Sequence, residues 1–262
     1  MIRALYTAAS GMSAQQANLD TVANNLANSA TAGFRERRLQ FEDMIYQNVI
    51  VPGSAESPQT DSAGLQIGLG TKSSASEVIM TQGDFNSTGN PMDLAIQGGG
   101  FFQVSRPDGT IAYTRAGSFH RSNQGTMVTA DGDTVLPAIT IPSNATNITI
   151  SPYGIVTATI PGQTAAAQLG TIQLATFVNP GGLNSIGGNL LMPTDSSGNA
   201  ITDTPGGNSG MGTLQQGGLE NSNVDVVAEF VQMILAQRAY ESNSKVVHVA
   251  DDMYSQINGM IR

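Results

Sequence analysis

Histidine, cysteine and clustered carboxylates do most acid–base and metal chemistry in proteins, and this chain is poor in all of them. Its 262 residues include no cysteine and two histidines, His120 and His248, neither in an H-E-x-x-H or similar ligand spacing. We expect both histidines to be surface or packing residues. Asp131-Gly132-Asp133 has too few ligands for an EF-hand loop and is better explained as a turn. The sequence therefore predicts no catalytic and no metal-binding residues.

Two glycine-rich stretches resemble phosphate-binding loops, but both lack the required pattern. In Gly70-Thr71-Lys72-Ser73 the lysine does not directly follow a glycine, as it must in a Walker motif. Gly98-Gly99-Gly100 lacks the G-x-G-x-x-G spacing and precedes a strand pattern, where a dinucleotide-binding fold has a helix. We expect this second stretch to be a tight link between strands. The chain is therefore predicted to bind no cofactor and not to be an enzyme.

The low charge of the chain limits its possible partners. Only 12% of the residues are charged, the formal net charge is −9, and the 11 Lys and Arg form no basic run, which argues against nucleic acid. A surface of Asn, Ser, Thr, Gln and Gly is buried against copies of itself at little desolvation cost, although it fits an ordinary secreted protein equally well. No segment approaches the roughly 18 continuous apolar residues of a membrane span. The first residues lack the apolar stretch of a Sec signal, so we expect no such signal.

A heptad repeat near the N-terminus predicts a long helix. One seam position is occupied by Leu5, Met12, Leu19 and Leu26, and the other by Ile2, Ala9, Ala23 and Ala30 with Gln16 as the polar exception. Gly33 supplies the expected helix stop. The first region is therefore a helix within residues 1–34.

The C-terminal region repeats this design. A second set of residues is spaced by seven: Val226, Met233, Tyr240, Val247, Tyr254 and Ile261. Ser222, in a capping-box-like pattern with Asp225, and Asn223 are the alternative helix starts. Because neither helix buries its stripe alone, we expect residues 216–262 to pair with residues 1–34, parallel or antiparallel. The alternative is that both helices pack on the chain's own globular body.

The middle of the chain alternates apolar and polar residues between turn signals. Residues 93–215 read as an antiparallel β-module. Residues 35–92 form a connecting segment with an extended arm at about 46–70, and Phe41 to Tyr46 is either a short helix or part of the arm. The predicted fold class is therefore α+β, mainly β, with a coiled-coil-like pair of terminal helices, an extended arm and a central β-module.

Three separate segments resemble the flagellar rod and hook proteins. They are Ala23-Asn24-Asn25-Leu26-Ala27-Asn28-Ser29-Ala30-Thr31-Ala32-Gly33-Phe34, the central Gly100-Phe101-Phe102-Gln103-Val104 with Tyr113-Thr114-Arg115-Ala116-Gly117, and the C-terminal Asn221-Ser222-Asn223-Val224 with Gln237-Arg238-Ala239-Tyr240-Glu241. The resemblance spans essentially the whole chain. The amides of Asn24, Asn25 and Asn28 suit hydrogen bonding inside a crowded helix bundle without burying charge.

Within this family the arm resembles that of the distal rod proteins. The matching residues are Phe41 to Gln47, Pro52-Gly53 and Gly64-Leu65-Gln66-Ile67-Gly68. In that group the arm is thought to stiffen the rod, which gives this role here to Tyr46, Gln47, Pro52, Gly53, Leu65 and Ile67. A proximal rod protein or a paralogous rod protein is the alternative within the family.

The resemblance implies a structural subunit of the basal body that spans the periplasm. Subunits would pass through the flagellar export apparatus without a cleavable signal peptide and polymerise helically into a hollow drive shaft. The implied partners are copies of the chain, proximal rod proteins, the hook protein, the peptidoglycan-layer and outer-membrane ring proteins, and a rod cap. The implied assembly interface comprises Leu5, Met12, Leu19, Asn24, Asn25, Leu26, Asn28, Gly33, Phe34, Val226, Met233, Tyr240, Val247 and Tyr254.

A function of another class also fits part of the pattern. A secreted adhesin or glycan-binding protein with a β-domain and a terminal coiled coil would share the helices and the strands. Such a protein should carry a signal peptide and a pocket with clustered aromatic residues. Aromatic residues make up 5% of this chain and are spread along it, which favours the rod protein.

Overall fold

The computed structural model describes residues 2–50, 64–162, 165–207 and 210–260. Among these residues, two long helices, α1 (Ile2–Ala27) and α2 (Val226–Met260), lie at the ends of the chain, and strands occupy the middle. More of the described residues lie in strands than in helices, which confirms the α+β, mainly β prediction. No helix in this part of the chain is long and apolar enough to cross a membrane.

The described residues fall into two units. The helix-arm unit contains those within 1–27, 37–77 and 225–262, and the β-unit contains those within 28–36 and 78–224. The strands of the helix-arm unit are β1 (Arg37–Asp43), β2 (Tyr46–Ile50), β3 (Leu65–Gly68) and β4 (Thr71–Val78). Those of the β-unit are β5 (Phe85–Ser87), β6 (Leu94–Gln97), β7 (Phe101–Ser105), β8 (Ile111–Thr114), β9 (His120–Arg121), β10 (Met127–Val128), β11 (Thr134–Leu136), β12 (Asn147–Ile150), β13 (Ile155–Thr159), β14 (Ala167–Thr171), β15 (Leu174–Thr176), β16 (Asn184–Gly187), β17 (Leu190–Met192), β18 (Ile201–Asp203), β19 (Thr213–Gln216) and β20 (Gly218–Glu220), with a short 3-10 helix at Pro180–Gly182.

The two terminal helices pack against each other in antiparallel orientation. Near the end of α1, the amide Nδ2 of Asn25 lies 3.2 Å from Oε1 of Glu229, at the start of α2. At the other end, Ala4 and Ala250 line the same shallow groove. Between these points the helices are in close contact, because a Cβ added to Gly11 would lie 2.7 Å from the side-chain Nδ2 of Asn243. The predicted contact between the terminal helices is confirmed, and of the two orientations considered, the helices adopt the antiparallel one.

The prediction that Gly33 stops the first helix is wrong. Helix α1 ends at Ala27 and turns follow it, with the Thr31 amide donating to the Asn28 carbonyl at 3.1 Å. Gly33 has a φ of +71°, and a Cβ at this position would lie 2.5 Å from the backbone nitrogen of Ala116. Glycine is required here because another backbone segment of the β-unit passes too close for any side chain.

The two expected starts of the second helix are also wrong. Helix α2 begins at Val226, and Oδ1 of Asp225 accepts hydrogen bonds from the amides of Val227 at 2.9 Å and Ala228 at 3.3 Å. Asp225 is therefore the N-cap, because its carboxylate satisfies amides that have no partner within the helix. Asn223 bonds elsewhere, with its Nδ2 donating to the carbonyl of Ile79 at 2.9 Å.

Strands β1 to β4, which include the described part of the predicted arm, form an antiparallel β-ribbon. Strand β1 pairs with β4, and β2 pairs with β3 so that Tyr46 faces Gly68 and Gln47 faces Ile67. The short-helix alternative for Phe41 to Tyr46 is therefore wrong, and the extended alternative is confirmed. Pro52 and Gly53 lie outside the described residues.

The β-unit is organised around strand β7. Among the described residues, nine strands form one sheet in the order β16-β17-β8-β7-β11-β10-β9, with β15 joining β7 to β18. Strands β12, β13 and β14 form a second sheet in that order, while β19 pairs with β6 and β20 with β5. The core includes Phe102 and Phe119, both fully buried, with ring centroids 5.0 Å apart in an edge-to-face arrangement. The antiparallel β-module prediction is confirmed for the described strands.

Candidate assembly surfaces and a buried ion-pair junction

The predicted stripe on α2 lies on the side that packs on α1. Ala236 and Ala250 are buried, and Met233, Val247 and Tyr254 are half-buried along the same side. The first and third members of the stripe, Val226 and Tyr240, are more open, at 39% and 38% exposed, and Ile261 lies outside the described residues. The heptad spacing therefore identified the correct side of this helix for most of its length.

The stripe on α1 is shifted relative to the prediction. Leu5, Met12, Leu19 and Leu26 are all half-buried, but the second seam residues Ala9, Gln16 and Ala23 are exposed and Ala30 follows the helix. The buried positions of α1 are instead Ala8, Ala14, Val22 and Asn25. Gly11 lies against the side chain of Asn243 on α2, where a Cβ would lie 2.7 Å from its Nδ2.

The three asparagines singled out in the sequence have different surroundings. Asn25 is 1% exposed: its Nδ2 donates to the Arg37 carbonyl at 2.8 Å, and its Oδ1 accepts from the Arg37 amide at 3.0 Å. Asn24 is exposed. Asn28 is half-buried, and its Oδ1 accepts a hydrogen bond from the Thr31 hydroxyl at 3.2 Å. Asn25 therefore ties the end of α1 to the first residue of strand β1, inside one subunit.

A second apolar face on α2 is exposed, and the heptad analysis did not identify it. It consists of Val227, Phe230, Val231, Ile234 and Leu235, which are exposed to between 49% and 73%. Their i, i+3, i+4, i+7, i+8 spacing makes them one continuous stripe. At about 100° per residue, Ile234 lies about 160° around the helix from buried Ala236. A continuous exposed apolar surface of this kind is typical of sites of contact with other proteins.

The arm is also apolar and exposed. Tyr46 on strand β2 and Leu65 on strand β3 are 49% and 50% exposed. Gln47 is also exposed, and Ile67 is half-buried. Ile45 and Val49 add further exposed apolar surface at 83% and 51%. A hydrogen bond to Asp43 and the charge of that carboxylate raise the pKa of the Tyr46 phenol.

The β-unit contains a buried cluster of three charged side chains. Oε1 of Glu220 lies 2.6 Å from Nη2 of Arg35, and its Oε2 lies 2.6 Å from Nε of Arg115. The Gly83 amide also donates to Oε1 of Glu220, at 3.0 Å. The three side chains are only 7%, 1% and 5% exposed for Arg35, Glu220 and Arg115. One carboxylate therefore joins three distant segments of the chain, and sequence analysis did not single it out.

The glycine stretch at 98–100 serves this cluster. As predicted, it links two strands, β6 and β7. The guanidinium of Arg115 donates to the carbonyls of Ile96 at 3.0 Å, Gly98 at 2.6 Å and Gly100 at 2.5 Å. Burial lowers the pKa of Arg115, and the neighbouring Glu220 carboxylate partly opposes that shift. The loop that resembles a phosphate site thus holds a cation of the protein itself.

The described residues offer no arrangement suited to catalysis. No group of three or more His, Cys, Asp or Glu side chains within them could hold a metal ion. The buried Glu220 and Arg115 are held by an ion pair with each other and by hydrogen bonds.

Three family models match the chain in order. A flagella basal body rod protein model covers residues 5–35, a flagellar hook protein FlgE/F/G D1 domain model covers residues 95–158, and a flagellar basal body rod FlgEFG protein C-terminal model covers residues 215–260. The first and last of these contain most of the two terminal helices, and the second covers much of the β-unit.

Full-length relatives give a more specific assignment. The chain is 48% identical over 254 residues to the flagellar basal-body rod protein FlgG of Caulobacter vibrioides, covering 96% of this chain and 97% of the relative. It is 46% identical over 259 residues to FlgG of Buchnera aphidicola subsp. Acyrthosiphon pisum, covering 98% and 99% of the two chains. It is 47% identical over 268 residues to FlgG of Borreliella burgdorferi, with complete coverage of both chains. The chain therefore belongs to the flagellar basal-body rod protein family, as a structural distal rod subunit of the FlgG type.

Proposed function

We propose that the chain polymerises helically with copies of itself into a hollow drive shaft that transmits torque from the flagellar motor to the hook. The observation that carries this proposal is the second apolar face of α2, formed by Val227, Phe230, Val231, Ile234 and Leu235. The opposite side of α2 is already occupied by α1, so this face is available to a neighbouring subunit.

The energetics favour burial of this face in a polymer. Covering a large apolar side chain that is half exposed contributes on the order of 1 kcal/mol. A stripe of five such residues, repeated on every subunit, gives many individually modest contacts along a filament. Few charges need to be desolvated at the same time, because only 12% of the residues are charged.

The half-buried stripes predicted from the heptads belong to the same proposed interface. Leu5, Met12, Leu19 and Leu26 on α1 keep part of their surface open beside α2, as do Met233, Val247 and Tyr254 on the partner helix. Asn24, Asn28, Phe34, Val226 and Tyr240 complete the proposed interface, while Asn25 and Gly33, which are buried within the subunit, support it from behind. We expect neighbouring terminal helices to cover the remaining open surface of these stripes.

The arm is proposed to stiffen the polymer. An isolated two-stranded ribbon is marginally stable in water, and this one exposes apolar residues such as Tyr46, Leu65 and Ile45. Packing against a neighbouring subunit would bury these side chains and cross-link the shaft. Deleting residues 46–66 should therefore leave polymers that bend more easily, as measured by the persistence length of purified rods. A persistence length equal to that of the wild type would contradict the stiffening role.

Membership of the rod family implies assembly with other basal-body components. We propose that the neighbours are proximal rod proteins and the hook protein along the axis, with the peptidoglycan-layer and outer-membrane ring proteins around it. Delivery through the flagellar export apparatus into the periplasmic part of the basal body, and a rod cap during growth, complete the proposal.

The α2 face provides a direct test. In cells that carry Ile234→Asp in place of the wild-type chain, electron cryotomography should show basal bodies that stop at a short stub without distal rod and hook. Gln232→Asp adds the same charge at an exposed polar position of α2 outside this face, and it should leave rods of normal length. Normal rods with Ile234→Asp would overturn the proposed interface. Intact rotating flagella after complete deletion of the gene would overturn the proposed function itself.

A further inference from the structure

Residues 32–36, which we call the strap, are held on the β-unit by contacts with several segments. The Gly33 amide donates to the Glu220 carbonyl at 2.8 Å, and the Ile79 amide donates to the Glu36 carbonyl at 2.9 Å. The Glu36 amide donates to Oδ1 of Asn223 at 2.7 Å. The strap therefore lies where the segments around residues 79 and 220–223 meet.

The Glu220 carboxylate divides its two oxygens between the strap and the rest of the β-unit. Oε1 receives Nη2 of Arg35 and the Gly83 amide, whereas Oε2 receives Nε of Arg115. Because this carboxylate is almost completely buried, each hydrogen bond to it is strong and its loss is costly. The strap is thus closed by a charge-assisted contact in a site of low polarity.

The two arginines are not equally well held. Arg115 donates to Glu220 and to three backbone carbonyls. Arg35 contacts Glu220 through Nη2, while its buried Nη1 has no hydrogen-bond partner among the described residues. Two guanidinium groups facing one carboxylate also leave an excess positive charge. The half of the cluster that contains Arg35 therefore makes fewer hydrogen bonds than the half that contains Arg115.

We propose that the Arg35–Glu220 ion pair is a latch that keeps the strap closed on the β-unit. The strap follows α1 in the chain after only four intervening residues, so force that enters the β-unit from α1 along the backbone passes through it. The latch takes up this force, and this mechanical role rests on the proposed drive-shaft function. When the latch is open, Arg115 still pairs with Glu220 and the β-unit keeps its core.

Hydrogen exchange on the purified full-length monomer tests the latch itself. With Arg35→Gln, exchange at the Gly33 and Ile79 amides should accelerate about tenfold or more, because a neutral amide replaces the charge-assisted contact. Amides of the β7–β8 pair should be unchanged. Arg35→Lys, which keeps the charge, should show a smaller acceleration. Arg38→Gln removes a neighbouring arginine from an exposed ion pair with Glu77 at 3.3 Å, and it should change none of these amides.

Other results in this experiment would overturn the latch. Unchanged exchange at Gly33 with Arg35→Gln would show that the ion pair does not hold the strap. Equal acceleration in the β7–β8 pair would show that Arg35 supports the whole core and not a local closure. Arg35→Lys exchanging as fast as Arg35→Gln would remove the role of charge.

The mechanical role has a separate test in motile cells. Cells with Arg35→Gln should build rods of normal length and swim like the wild type in dilute medium, but they should lose filament rotation in viscous medium, where torque is higher. Cells with Arg38→Gln should match the wild type in both media. Equal performance of Arg35→Gln in viscous medium would overturn the mechanical role. The gene deletion described above tests the drive-shaft function without involving Arg35. Its result therefore separates a failure of that function from a failure of the latch.

Discussion

The β-unit and the helix-arm unit bury their apolar residues to very different extents. In the β-unit, Phe102, Phe119, Leu94 and their neighbours form a closed core with almost no exposure. In the helix-arm unit, large apolar residues such as Phe230, Ile234 and Ile45 remain about half exposed or more. The β-unit is therefore a complete fold within one subunit, whereas the helix-arm unit leaves apolar surface uncovered that, under the proposed function, neighbouring subunits bury.

The largest expected effect on the monomer comes from the core of the β-unit. Phe102→Ala should reduce the free energy of unfolding by about 3–5 kcal/mol, because it removes a fully buried ring and leaves a cavity. Phe230→Ala, at a half-exposed position of α2, should reduce it by less than about 1 kcal/mol. Urea unfolding of the two variant monomers measures both values. Similar losses for the two phenylalanines would contradict the difference between the units.

For assembly, we expect the opposite order: substitutions in the helix-arm unit should have the larger effect. Val247→Asp or Leu26→Asp places a charge on a half-buried stripe of the helix pair, where it is poorly solvated. Either variant should abolish rod formation, as seen by electron cryotomography, while the β-unit unfolds at the same urea concentration as in the wild type. Normal rods from either variant would refute the role of the terminal helices in assembly.

The spacing of apolar residues predicted the helix-arm unit only in part. On α2 the stripe of Met233, Val247 and Tyr254 was placed correctly, because large residues at heptad positions leave little choice of packing side. On α1 the buried positions Ala8, Ala14 and Val22 are ones that the heptad analysis did not single out. The second apolar face of α2 has a clear helical period, but periodicity alone does not decide which of two faces stays open in the monomer.

The junction in the β-unit could not be predicted from the sequence. Glu220 lies more than a hundred residues along the chain from both Arg35 and Arg115. An ion pair between such distant residues leaves no periodic pattern in the sequence. The sequence motifs did include Arg115 and Gly33, but not the partner that joins them. The expected helix stop at Gly33 failed for the same reason, because the residue responds to the nearby Ala116 backbone and not to a helix end.

A smaller effect is expected from Gly33, where backbone conformation and close contact act together. Gly33→Ala should destabilise the β-unit by roughly 1–3 kcal/mol or more, from strain at positive φ and from overlap with Ala116. Gly109→Ala is a matched control: Gly109 has a φ of +81°, but a Cβ there would meet nothing within 4 Å. Thermal unfolding should show a greater loss for Gly33→Ala. Equal losses would mean that the contact with Ala116 contributes nothing.

The smallest effect is expected at the start of α2, and it should stay within the helix-arm unit. Asp225→Ala removes the carboxylate that accepts the Val227 and Ala228 amides, and losing such a cap costs about 1 kcal/mol of helix stability. Hydrogen exchange should therefore accelerate at these two amides, while the β7–β8 amides of the β-unit keep their wild-type rates. Asp225→Asn keeps a capping oxygen and should exchange nearly as slowly as the wild type. If exchange in the β7–β8 pair rose together with that of α2, the two units would unfold as one, and the contrast between a complete β-unit and an incomplete helix-arm unit would not hold.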